Sequence, residues 1–96
     1  LPMTDDDKAA LSTEPASTLA LWWVQIQRGG WPDVGLGAPD PSPFATGLSR
    51  RARIANAIAR RIGIKACLRE WYRPSFNDEQ FEIWWASHGS RYLTTP

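Results

Sequence analysis

Arg50, Arg51, Arg53, Arg60, Arg61, Lys65, Arg69 and Arg73 are eight of the eleven basic residues of this chain, and Glu70 is the only acid among them. The stretch carries a net charge of +7 within a chain whose formal net charge is +1, so the remainder is net acidic. A guanidinium offers a planar fork of donors that grips phosphate or carboxylate through two bonds and stacks on rings. A cationic block on helix-forming sequence therefore points to nucleic acid or to an acidic protein surface. The competing explanations are a face kept only for solvation and arginine use inflated by a GC-rich genome.

Other reactive side chains are sparse. Cys67 and His88 are the only cysteine and histidine and lie far apart in sequence. Nothing places them in the hydrogen-bond reach that a nucleophile and its base require. Two such ligands do not make a zinc site. Asp78, Glu79 and Glu82 cluster at a helix start, where capping and the helix dipole account for them. No phosphate-cradling glycine motif is present. The sequence predicts no catalysis, no metal and no cofactor.

These residues are positioned by helices. The first helix is expected over residues 15–28, with Ser12 or Thr13 as cap, Pro15 in its first turn and Gly29 ending it in a left-handed conformation. Leu19, Trp22, Trp23 and Ile26 share one face. Residues 29–46 are rich in glycine and proline and read as a long loop pinned by Trp31, Val34, Leu36 and Phe44. A second helix runs from about Gly47 to Ile62 on a stripe of Leu48, Ile54, Ala55, Ile58, Ala59 and Ile62. It gathers Arg50, Arg53, Arg60 and Arg61 within an arc of roughly 100°, while Arg51 falls on the apolar side and must extend to reach water.

Gly63 breaks the pattern. A third helix over residues 64–73 turns Ile64, Cys67, Leu68 and Trp71 inward and aligns Lys65, Arg69 and Arg73 in a second basic stripe, until Pro74 stops it. The fourth opens at Asn77 with Gln80 as a capping-box partner, carries Phe81, Trp84, Trp85 and His88 on one face, and ends at Gly89. Residues 1–13 read as a flexible arm, in which Asp5-Asp6-Asp7-Lys8 resembles part of an enterokinase tag, and residues 90–96 read as a frayed tail. The expectation is an all-α fold: one domain over residues 14–89, a bundle of about four helices with the loop between the first two. Six tryptophans let 96 residues build a core from few side chains. No apolar run approaches the ~18 residues of a membrane span, no segment reads as a signal peptide, and a lone cysteine suits a reducing cytoplasm. Leu1 opens the chain, which leaves Met3 as a start behind a vector remnant, or processing, both open.

Ala59 and Gly63 have the spacing of a helix-turn-helix, which would set Lys65, Arg69 and Arg73 against phosphates or base edges. Arg69 stands where a buried apolar residue is expected, and the following helix lacks the Ser, Thr, Asn and Gln of base readers. A base-reading motif, a basic helical pair docking phosphate or protein, and a solvated face all remain open.

The tryptophan-rich helix and glycine loop (Leu21-Trp22-Trp23 through Gly29-Gly30-Trp31), the segment Ser42-Pro43-Phe44-Ala45, and the run Leu68-Arg69-Glu70-Trp71-Tyr72-Arg73 together resemble the front part of the late-gene antitermination proteins of temperate bacteriophages. The resemblance covers about residues 17–73. It implies transcription regulation by loading onto DNA and engaging RNA polymerase, with Arg50–Arg73 contributing contacts. The chain departs from the family in having no clear helix-turn-helix after Tyr72 and no cysteine cluster.

The expected function is thus a non-enzymatic, phage-type regulator in the host cytoplasm. It would bind nucleic acid, or a nucleic-acid machine such as RNA polymerase, through Arg50, Arg53, Arg60, Arg61, Lys65, Arg69 and Arg73. The alternative is an inhibitor or adaptor docking on an acidic surface of a host complex, with Trp31 and Tyr72 as aromatic anchors. A third class is an assembly protein that uses the loop for oligomer contacts. Neither a membrane nor a small-molecule substrate is expected.

Overall fold

The computed structural model describes residues 3–32 and 50–93, and among them the backbone is helical with no strand. Six helices follow in order: α1 (Asp5–Thr13), α2 (Ala16–Gln27), α3 (Arg50–Ile62), α4 (Ile64–Tyr72), α5 (Asp78–His88) and α6 (Ser90–Leu93). The all-α expectation holds, with two short helices added to the four. Residues 33–49, with Val34, Leu36, Phe44 and Leu48, lie outside the described residues.

The stripes read from the sequence are the faces that pack. Leu19, Trp22, Trp23 and Ile26 of α2 are buried against Ile54, Ala55 and Ile58 of α3 and Cys67 and Leu68 of α4. Trp23 meets the edge of Trp71, with ring centroids 6.2 Å apart and planes at 78°. Helix α5 adds fully buried Phe81 but keeps Trp84 and Trp85 only half-buried, so it flanks α4 rather than completing the centre. Gly63 makes the α3–α4 junction in one residue at φ +88°, a conformation glycine takes without strain. Gly29 ends α2 at φ +86° as expected.

Both ends of the chain differ from expectation. The supposed arm forms α1, closed by a capping box: Asp7 N–H donates to Thr4 Oγ1 at 3.1 Å and Thr4 N–H to Asp7 Oδ2 at 3.0 Å. Ala10, Leu11 and Asp7 are buried, and the helix packs on α3. The acidic run that looks solvated is thereby structural on one of its three aspartates. At the other end, Gly89 stays right-handed (φ −64°, ψ −29°), so the chain turns directly into α6. A Cβ there would lie 2.5 Å from the Trp85 ring; glycine is present for that close approach. The Asn77–Gln80 capping box forms as read, with bonds of 2.8 and 2.9 Å.

Candidate nucleic-acid interface

The eight cations of the basic block have separate fates. Arg50, expected on the binding face, is internal: its Nε and Nη2 bond the two oxygens of Asp7 at 2.7 and 2.9 Å, with the carboxylate wholly shielded from solvent. A buried charge persists only when paired, and here the pair clamps α1 to α3. The Arg50 hydrogen bonds hold the Asp7 carboxyl down at about 2 against the opposing effect of burial. Arg51 is half-buried. Its guanidinium donates to the carbonyls of Ile26 and Gly30, closing the C-terminal end of α2, where a cation suits the helix dipole.

Trp31 sits half-buried beneath both side chains, its ring centroid 5.1 Å from the Arg50 guanidinium carbon and 5.5 Å from that of Arg51. The aromatic singled out as a partner anchor thus belongs to an internal cation–π stack. Tyr72, the other candidate anchor, is half-buried between Phe76 and Trp84, with centroids 5.5 and 4.8 Å away.

On α4 the basic stripe is partly covered. Lys65 Nζ and Arg69 Nη2 reach Glu82 of α5 at 3.0 and 2.5 Å. The Lys65 hydrogen bond leads in drawing the Glu82 carboxyl below its usual range. Lys65 also lies 5.8 Å from the Trp85 ring and Arg69 5.4 Å from Phe81. Arg73 turns back to Glu70 at 3.0 Å rather than joining Lys65 and Arg69. A recognition helix must offer an open face to the DNA groove; α5 lies along the side of α4 that the stripe would use.

Exposed arginine is concentrated on α3. Arg53, Arg60 and Arg61 are exposed, and Arg60 and Arg61 form no ion pair among the described residues. Arg53, Asn56 and Arg60 fall at i, i+3 and i+7, one stripe of the helix. Beside it, Asn56, Ala59 and Arg60 of α3, Ile64 of α4 and Tyr92 of α6 line a groove of about 570 Å³. Sequence reasoning missed Asn56, Ile64 and Tyr92 as groove residues.

Of the remaining reactive groups, one is buried and one half-buried. Cys67 is fully buried, and desolvation pushes its thiol up to about 11. His88 stacks on Trp84 at 5.2 Å, with Nδ1 3.0 Å from the Trp84 carbonyl oxygen, so that nitrogen is the donor. Among the described residues no group of three or more His, Cys, Asp and Glu side chains is placed to hold a metal ion. Comparison with protein-family models, with curated proteins and with solved structures finds no significant match to this chain.

Proposed function

We propose that this protein is a non-enzymatic nucleic-acid-binding regulator that works through the outer side of α3. The observation that carries the reading is the sorting of arginine on that helix. Arg50 and Arg51 are committed to partners within the chain; Arg53, Arg60 and Arg61 stand exposed on the outer side, Arg60 and Arg61 with no ion pair among the described residues. Lys65 and Arg69 extend the positive surface past α4, moderated by Glu82. Such a face attracts phosphates and releases counterions as it binds. The sequence resemblance to phage late-gene antitermination proteins supports a place in transcription control, where RNA polymerase on its template is the partner machine.

Three to five phosphate contacts on duplex DNA give a slope of log affinity against log salt of about −3 to −4.5. Affinity should therefore fall roughly 40- to 500-fold between about 50 and 200 mM salt. Fluorescence anisotropy with labelled DNA and RNA measures this directly. The double variant Arg53→Glu/Arg60→Glu should abolish binding without changing the helical circular dichroism. Unchanged affinity in that variant would refute the assignment of the face.

A further inference from the structure

We propose that the groove between α3, the start of α4 and α6 is a subsite for single-stranded nucleic acid, in which an unpaired base lies against Tyr92 while its phosphate pairs with Arg60. This rests on the reading of α3 as a nucleic-acid face and adds to it which form of nucleic acid the face accepts. The groove brings three kinds of group together. Arg60 supplies a cation with no acid partner among the described residues, Asn56 an amide able to give and accept hydrogen bonds, and Tyr92 a ring; Ala59 and Ile64 are its apolar lining. Its volume, about 570 Å³, falls within the ~300–1,000 Å³ usual for small-ligand clefts, so a nucleotide-sized group fits where a duplex does not.

Tyr92 is the informative residue. It is 40% exposed, yet it is held: its ring stacks on Trp85 at 6.1 Å with planes at 19°, and lies 6.3 Å from Trp84. Trp85 is in turn 5.8 Å from the Lys65 ammonium. An aromatic ring braced by a second ring and left open to solvent beside unpaired arginine is the arrangement on which unpaired bases stack. Bases in a duplex already stack on one another and expose only their edges, so this surface discriminates by strandedness. Arg61, exposed and without an ion pair among the described residues, is then available to an adjoining phosphate. An acidic peptide would satisfy Arg60 but leave Tyr92 without a planar partner, which favours nucleic acid as the occupant.

The test uses the full chain and four labelled probes: oligo(dT) and oligo(U) of about 12 nucleotides, a mixed-sequence duplex of the same length, and polyglutamate. Wild type should bind at least one single strand, the two arms separating deoxyribose from ribose. Tyr92→Ala should weaken that binding roughly 5- to 150-fold, the range of one lost base stack, while leaving duplex affinity unchanged. Tyr92→Phe should retain it, and Asn56→Ala gives a second lesion that leaves the aromatic stack intact. Unaltered single-strand affinity in Tyr92→Ala overturns the subsite while the duplex-binding reading stands. Equal loss on duplex and single strand also overturns it. No binding to any nucleic acid, with or without capture of polyglutamate, overturns both the subsite and the nucleic-acid reading.

Discussion

Asp7→Ala should be among the most damaging single substitutions in this protein, although it falls in an acidic run near the N-terminus. Asp7 is wholly buried, receives two hydrogen bonds from Arg50, and closes the capping box of α1 by accepting the Thr4 N–H. Its removal leaves a guanidinium whose side chain is only 6% exposed without its counterion. Breaking one side of a buried pair costs about 3–5 kcal/mol. In a domain of this size each kcal/mol lowers Tm by about 4–8 °C, so the loss should be at least about 12 °C. Thermal unfolding followed by circular dichroism and tryptophan fluorescence measures it.

A second variant isolates the cause. Asp7→Ala/Arg50→Met removes both charges, and an apolar replacement of a buried pair is commonly neutral or better. The double variant should therefore be more stable than Asp7→Ala. The acid limb supplies an independent check. Arg50 holds the Asp7 carboxyl at about 2, below its ordinary 3.8. A carboxyl depressed on folding stabilises fully above its unfolded value, and that contribution is lost as pH falls through the folded one. Wild type should accordingly lose about 2 kcal/mol between pH 4 and 2 that Asp7→Asn does not lose. A Tm drop under about 4 °C in Asp7→Ala, or a double variant no better than the single, would refute the clamp.

Glu82→Gln should strengthen binding to duplex DNA at low salt and steepen the salt slope by up to about 2, because Lys65 and Arg69 lose their shared acid; an unchanged slope would show that those two cations do not reach phosphate. Gly89→Ala should cost about 1–3 kcal/mol by driving a methyl into the Trp85 ring, measured as a lower Tm together with altered tryptophan emission. Gly63→Ala meets no neighbour within 4 Å, so its cost should be the backbone strain alone, about 1–3 kcal/mol for an L-residue at φ +88° and ψ 144°, a region essentially reserved to glycine. Cys67 should resist a thiol reagent in the native protein and react fully in denaturant, because its sulfur is buried and its thiolate disfavoured.

Periodicity carried the central fold well. Leu19, Trp22, Trp23 and Ile26 announce a buried face because a helix repeats every 3.6 residues, and all four are buried. The turn at Gly63 and the box at Asn77–Gln80 were legible because they are local. Helix α1 was not, since what makes its acid run structural is an arginine 43 residues away, and no window of sequence contains both. Glu82 reads from the sequence as a capping acid for the same reason. Its pairing with Lys65 and Arg69 depends on α5 docking along α4 through Phe81, a tertiary event. Tyr92 had a signal that went unread: it stands seven residues beyond Trp85, the spacing of one helical face, once Gly89 is taken as a continuing residue rather than a stop.

A basic block of net charge +7 is not a surface of that charge. Asp7 removes Arg50 from it, two backbone carbonyls and an indole take Arg51, Glu70 takes Arg73, and one carboxylate restrains Lys65 and Arg69 together. What the fold leaves exposed on α3 is a stripe of Arg53, Asn56 and Arg60, with Arg61 beside it. Electrostatic attraction scales with the number of phosphates met, so under the proposed function a stripe this narrow would give only modest affinity from charge alone. Contacts of shorter range must supply the rest. On this side of the molecule the candidates within reach are the amide of Asn56 and the braced ring of Tyr92. On the proposed reading, discrimination among nucleic acids depends on the groove, while the arginines set how strongly any of them is drawn to it.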